Sequence, residues 1–238
     1  MILTETGRDT DVWLVDKPQG WSSHQVVNWV RRQTGEKRVG HSGTLDPLAT
    51  GLLIILVGRQ ATKRQSEFLK LDKWYDYEAQ LGLTSDTYDC TGELQVIATQ
   101  SELQSITQQQ VEQVIQQFTG NLTQVVPAFS AVKRRGKKLY ELARSGNLDM
   151  SLLPSRDITV FQHELLSMQW QEDRADSLGT RKLVIRGRVH VSSGTYIRSL
   201  IHDMGQALGV GAVMVGLRRT AVGEYRVDYA DRIPELLE

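Results

Sequence analysis

The residue types that do chemistry concentrate in one stretch of the 238-residue chain, Arg38 to Lys63, RVGHSGTLDPLATGLLIILVGRQATK. Its only acid is Asp46, followed by Pro47, whose ring biases the preceding backbone away from helix and toward an extended conformation. An aspartate so placed presents its carboxylate instead of continuing a helix. Ionised at neutral pH, that carboxylate serves as a nucleophile or as a general base. Gly40, Gly43 and Gly51 allow bends, or close approach by a ligand, that a side chain would forbid. We therefore read a reactive loop. Two other readings use the same residues. An Asp before Pro is also a common turn residue, and Ser42 beside His41 and Asp46 has the composition of a hydrolase triad. The hydrolase is the weaker, because GHSGT is not a GxSxG elbow and adjacent residues rarely make a working triad.

The elements around the loop follow from pattern. The run LLIILV, Leu52 to Val57, has the length and composition of a fully buried strand and would give the loop a rigid base. Upstream, VWLVDKPQGWSS predicts a short strand, a turn on Pro18 and Gly20, and a helix start at Ser22 or Ser23. Val26, Val27, Trp29 and Val30 supply that helix's apolar face, which ends near Gly35. Downstream, ATKRQSEFLK reads as a helix, WYDYEAQLGL as an alternating strand and SDTYDCTGEL as a polar loop. SITQQQVEQVIQQFTGN is the clearest helix: Thr107 and Gln110 have capping-box spacing, Val111, Val114, Ile115 and Phe118 share a face, and Gly120 marks the end. Strands return from SRDITVFQHELLSMQW; KLVIRGRVHV sets Leu183, Ile185, Val189 and Val191 against Lys182, Arg186, Arg188 and His190. A helix with the stripe Ile197, Leu200, Ile201, Met204 and Leu208 stops at Gly209, and VGLRRTAVGEYRV pairs two short strands around Gly223.

Length and a 40% hydrophobic content support a sizeable core. The N-terminus lacks a basic start followed by an apolar run, and no apolar stretch approaches the roughly 20 residues a bilayer needs, so a cytoplasmic protein is expected. A single cysteine, Cys90, permits neither an intrachain disulfide nor a Cys-based zinc site, and the five scattered histidines suggest no metal. Lys and Arg total 28, as do Asp and Glu, which argues against polyanion binding through global charge. Local charge differs: KRRGKK at 133 to 138, RKLVIRGR at 181 to 188 and LRR at 217 to 219 are basic, suited to phosphate or simply solvated.

The string GHSGTLDPLATGLL resembles the signature of TruB-type tRNA pseudouridine-55 synthases, which are similar to this chain from Val12 to about Val227 through five ordered motifs. The resemblance implies Asp46 as catalytic nucleophile. DKPQGWSS matches a motif beside the active loop, making Lys17 a loop support or phosphate contact. KWY has the spacing of the family's KxY motif, which implies that Tyr75 stacks on the target uracil and serves as base for a late proton transfer. GTYIRSL implies active-site roles for Tyr196 and Arg198, with Arg198 keeping the Asp46 carboxylate charged and oriented. Leu217 matches a position contacting the bound base, and His41 is expected to hold the loop open or pair with the displaced nucleotide.

On this resemblance the fold is α+β, the pseudouridine synthase fold: a mixed, largely antiparallel sheet flanked by helices, in one catalytic domain over 1–238. Residues 120–155 resemble a mobile RNA-clamping insertion, with Lys133, Arg134, Arg135, Lys137 and Lys138 meeting phosphate; Phe129 stands where Tyr is common. A C-terminal PUA-like domain is expected to be absent or vestigial. The implied reaction isomerises a T-loop uridine, flipped from its stack, with no cofactor and no metal, in a monomer whose partner is tRNA, T-loop and stem, with no protein partner and no membrane. A noncatalytic RNA chaperone is the rival from another class.

Overall fold

The apolar run that follows the reactive loop forms a strand, Thr50–Val57, buried from Gly51 to its end. In chain order the computed structural model, which describes residues 11–134, 136–146, 148–149, 151, 153–172 and 181–233, has the elements β1 (Val12–Lys17), α1 (Ser23–Thr34), β2 (Val39–Ser42), β3 (Thr50–Val57), α2 (Gly58–Lys63), α3 (Gln65–Lys70), β4 (Lys73–Leu81), β5 (Leu83–Ser85), β6 (Leu94–Val96), α4 (Gln100–Ser105), α5 (Gln108–Gln117), β7 (Gly120–Val125), β8 (Lys133–Arg134), β9 (Lys137–Lys138), α6 (Leu139–Arg144), β10 (Ser155–Glu172), β11 (Arg181–Val191), α7 (Ile197–Ala207), β12 (Ala212–Val222), β13 (Tyr225–Arg226) and β14 (Asp231–Arg232). Two compact units divide them: one holds the chain to Asp76 with His190–Ser193 and everything from Gly216, the other holds Tyr77–Val189 and Gly194–Val215.

In the first unit the sheet is mixed. β3 lies antiparallel to β1, from Val12 opposite Leu56 to Lys17 opposite Gly51, and antiparallel to β2. It also runs parallel to the end of β12, where Arg218 faces Thr50 and Arg219 faces Gly51; β14 adds parallel to β1. Alternation sends Val12, Leu14, Leu52, Ile54 and Leu56 into one cluster with Ala61 of α2, Phe68 of α3 and Tyr225. Leu53 and Ile55, equally buried, point to the other face, and α1 packs on β2 and β3 with Val26, Val27 and Val30 buried. Helix α1 starts where the sequence predicts, with Ser22 and Gln25 forming a capping box, and ends at a left-handed Gly35. ATKRQSEFLK, expected as one helix, is two: Arg64 takes φ −89° and ψ 7° between α2 and α3, and Ala61 and Phe68, one on each helix, both join the core cluster.

In the second unit the strand order is β4, β11, β10, β7, with β7 and β10 antiparallel from Val125 opposite Ser155 to Gly120 opposite Val160. Helix α5 packs on β10, and α7 on β7. The Thr107–Gln110 capping box forms as the spacing predicts, but α5 stops at Gln117 and Gly120 opens β7. Within 120–155, therefore, Gly120–Val125 is a sheet strand, followed by the β8–β9 hairpin and α6. The strand before Gly223 is eleven residues long, Ala212–Val222, not short. No helix among the described residues is long and apolar enough to cross a membrane.

Candidate active site

Asp46 lies in the loop between β2 and β3, and its neighbours are fixed by hydrogen bonds to their backbones. From one side comes Lys17, the last residue of β1 and 0% exposed. Its Nζ donates to the carbonyls of Trp21 at 2.6 Å, Pro18 at 3.0 Å and Pro47 at 3.4 Å. The Gly20 N–H donates to the same Pro47 carbonyl at 2.8 Å. Ser23 at the start of α1 holds the residue before Asp46, its Oγ accepting from the Leu45 N–H at 2.9 Å and donating to the Leu45 carbonyl at 3.0 Å. From the other side Arg219 of β12, 1% exposed, donates from Nε to the Leu52 carbonyl at 2.7 Å and from Nη2 to the Gly43 carbonyl at 3.1 Å.

Two glycines make this possible. Gly51 has φ +99°, and a Cβ there would collide with the Arg219 carbonyl; Gly43, at φ +85°, turns its carbonyl toward the guanidinium. The outcome is a half-buried Asp46 on a loop whose Gly43, Leu45 and Pro47 carbonyls accept from Arg219, Ser23 and Lys17.

Those cations set the local electrostatics. Burial pushes the Lys17 amine down to about 8, with Asp46 opposing the shift and Arg219 adding to it. His41, on β2 opposite Ile55, is held below its ordinary value by burial, then by Arg219 and His24. Its Nδ1 is buried with no hydrogen-bond partner among the described residues, while its carbonyl accepts from Gln65 Nε2 at 2.7 Å.

The first unit thus brings Lys17, His41 and Asp46 into one electrostatic neighbourhood. It also carries Tyr75, 7% exposed on β4, and Leu217, half-buried on β12 with its carbonyl accepting from Thr50 Oγ1 at 3.4 Å. Lys73, two residues before Tyr75, donates to the carbonyls of Leu69 at 2.8 Å and of Leu71, and burial pushes it down to about 8.

Tyr196 and Arg198 belong to the second unit, at the start of α7. Gln124 of β7 grips Tyr196 by both backbone groups: Nε2 donates to its carbonyl at 3.0 Å and Oε1 accepts from its N–H at 2.8 Å. The Tyr196 ring has the guanidinium of Arg156 at 5.5 Å and that of Arg198 at 5.9 Å from its centroid. Arg198, 6% exposed, donates to the Phe129 carbonyl at 2.7 Å and to the Thr87 carbonyl at 3.3 Å. The basic residues form the β8–β9 hairpin, where Lys133 faces Lys138 and Arg134 faces Lys137; Arg135 lies outside the described residues. Lys138 leans on Tyr140, whose hydroxyl accepts from its Nζ at 3.2 Å.

Sequence reasoning did not single out Arg219 or Gln124, and it read Ser23 only as a possible helix start. Arg219 stood in a basic triplet that reads equally as a solvated face, and only the parallel pairing of β12 with β3 turns it under the loop. No group of three or more His, Cys, Asp or Glu among the described residues could hold a metal ion.

The α+β scaffold that carries this loop is the pseudouridine synthase fold. Solved structures similar to the chain agree: a Cbf5-Nop10-Gar1 complex at 31% identity and TM-score 0.66, covering 95% of this chain and 53% of that one, and an H/ACA RNP bound to a substrate RNA containing 2'-deoxyuridine at 27% identity and TM-score 0.64, covering 93% and 50%. The chain spans about half the length of those solved chains.

The chain belongs to the TruB family of pseudouridylate synthases, whose N-terminal domain matches residues 31–197. The tRNA pseudouridylate synthase B C-terminal domain matches residues 198–237, the stretch containing α7 from its second residue and β12. Curated relatives include tRNA pseudouridine synthase B of Corynebacterium jeikeium, 40% identical over 100% of this chain and 73% of its own length, that of Thermobifida fusca, 41% over 94% and 73%, and that of Chloroherpeton thalassium, 37% over 97% and 90%.

Proposed function

We propose that this chain isomerises a uridine in the T-loop of tRNA to pseudouridine. The observation that carries the reading is the Asp46 loop, whose backbone is braced by Lys17, Ser23 and Arg219, in a chain 40% identical over its whole length to a tRNA pseudouridine synthase B. Asp46 is the nucleophile. The glycosidic bond between uracil N1 and ribose breaks, the base turns, and carbon 5 bonds to the sugar while its proton leaves to solvent; N1 gains a proton and no atom is lost. A preset loop suits this work, since a nucleophile fixed before binding needs no ordering at the moment of reaction.

Tyr75 stacks on the flipped uracil and takes the carbon-5 proton, Leu217 packs against the base, and His41 and Tyr196 contact the flipped nucleotide. Stacking offsets the few kcal/mol that flipping costs. Arg198 is the third catalytic side chain, and Lys17 acts on the loop carbonyls more than on phosphate. Lys133, Arg134, Lys137 and Lys138 of the β8–β9 hairpin bind the stem, together with Arg135. The protein works as a cytoplasmic monomer without a protein partner or cofactor.

The test is tritium release from a tRNA transcript labelled at uracil carbon 5, with wild type and Asp46→Asn. Release by the wild type alone, mapped to the T-loop, is the expected result. Tight tRNA binding without release by the wild type would replace the enzyme with a tRNA-folding protein.

A further inference from the structure

Among the described residues, Tyr88 is the only non-glycine with positive φ, at 64°. A bulky residue in the left-handed region costs on the order of 1–3 kcal/mol and persists only where its surroundings over-determine it. Here they do. The Tyr88 N–H donates to the Ser85 carbonyl at 3.3 Å, its own carbonyl accepts from the Met214 N–H at 3.1 Å, and the Cys90 N–H returns a bond to the Met214 carbonyl at 3.0 Å. Ser85 Oγ donates to the Asp89 carbonyl at 2.7 Å and Thr87 Oγ1 to Asp89 Oδ1 at 2.9 Å. The ring of Tyr88 lies on that of His202, centroids 3.9 Å apart and planes 19° from parallel.

His202 sits four residues after Arg198 on α7, so both project from the same face. That face grips adjacent residues of one turn: Arg198 holds the Thr87 carbonyl, and His202 holds the ring of Tyr88. The link between the two is stereochemical. The peptide plane carrying the Thr87 carbonyl joins the Tyr88 Cα through φ, so once the ring is fixed, φ decides where that carbonyl points. At +64° it points at the guanidinium.

We propose that Tyr88 and His202 are a positioning pair for Arg198, locking by their stack the turn that supplies one of its carbonyl anchors. The inference rests on the catalytic reading of Arg198. Burial holds His202 below its ordinary value and, with Asp203, holds Tyr88 above its own, so two uncharged rings meet. His202 Nδ1 has no hydrogen-bond partner among the described residues, which leaves the ring face as that side's contribution.

Kinetics on unmodified tRNA test the pair. Tyr88→Phe keeps the ring and should hold kcat within about twofold, whereas Tyr88→Ala and Tyr88→Gly should lower kcat about tenfold with KM for tRNA unchanged. The glycine variant discriminates between causes, because it takes the left-handed backbone without strain. Wild-type kcat in Tyr88→Gly would overturn the proposal, as would a rise in KM that accounts for the loss. Should Tyr88→Ala fail to fold, His202→Phe against His202→Leu asks the same question, with only the former expected to retain kcat.

A readout free of activity is the Nε–Hε resonance of Arg198 in nitrogen-15 spectra, assigned by its loss in Arg198→Lys. It should broaden in Tyr88→Gly and not in Tyr88→Phe; an unchanged line in Tyr88→Gly would sink the pair. An inactive wild type would count against the isomerase reading alone, since this spectrum still decides the positioning claim.

Discussion

Lys17 and Arg219 place two buried positive charges under a loop whose only acid is Asp46, and the two respond differently to pH. Arginine stays protonated, but the Lys17 amine titrates at about 8 in the folded chain against 10.5 ordinarily. Between those values the unfolded chain binds a proton that the folded one has released. Stability contributed through Lys17 therefore rises with pH across that window, the desolvation penalty being fully present below about 8. Activity should move the other way, because loss of the charge beside Asp46 also weakens a donor to Pro47 and Trp21. We expect kcat to fall as pH rises through about 8, and Lys17→Met to lack that limb while starting about tenfold lower. Lys73 titrates in the same range, so the check is the difference between wild type and Lys17→Met in kcat and in urea midpoint. A difference that does not vary with pH would remove Lys17 from this role. The placement of Asp46 on a loop before a buried strand was legible because Asp-Pro sits amid glycines before an apolar run. Arg219 was not, since a strand arginine's destination depends on a pairing partner 168 residues away, Gly51.

At the scale of elements, the placement of Tyr196 and Arg198 depends on where α7 begins. Tyr196 has no side-chain cap for the helix; Gln124 of β7, 3% exposed, satisfies both of its backbone groups instead. Gln124→Leu leaves the Tyr196 N–H without its partner, while the carbonyl still accepts from the Leu200 N–H at 3.1 Å, and should destabilise the chain by about 1–2 kcal/mol in urea denaturation. Gln124→Glu should cost more, because it turns a carboxylate toward the Tyr196 carbonyl. Wild-type stability in both variants would show that β7 does not fix this helix start. Capped helices and fully apolar strands were readable because their signals are local: Ser22 with Gln25, Thr107 with Gln110, and LLIILV. The break at Arg64 and the strand at Gly120 were not. Neither has a local signal: the seven-residue spacing of Ala61 and Phe68 fits one continuous helix, so nothing in the pattern marks Arg64 as a break, and Gly120 enters a strand through the pairing of Asn121 with Thr159.

Over the whole molecule, 28 basic and 28 acidic residues cancel, so affinity for a polyanion has to come from arrangement. On the proposed reading the β8–β9 hairpin supplies it, at a local cost: its register sets Lys133 against Lys138 and Arg134 against Lys137, and like charges directly opposite destabilise a two-stranded pair. Phosphate relieves that repulsion and releases counterions from the RNA, so binding through the hairpin should depend on salt. Lys138 is partly occupied with Tyr140, which leaves Lys133 and Lys137, both exposed, as the cleaner probes. Lys133→Gln with Lys137→Gln should weaken tRNA binding and reduce the slope of log Kd against log salt by about 1.5, in proportion to two lost phosphate contacts. Because these contacts persist equally in ground and transition states, KM should rise and kcat should stay. Lys63→Gln with Lys70→Gln, the same charge change made on α2 and α3, should leave the slope alone. Equal slopes for the two double variants would mean that net charge, not the hairpin, governs RNA affinity.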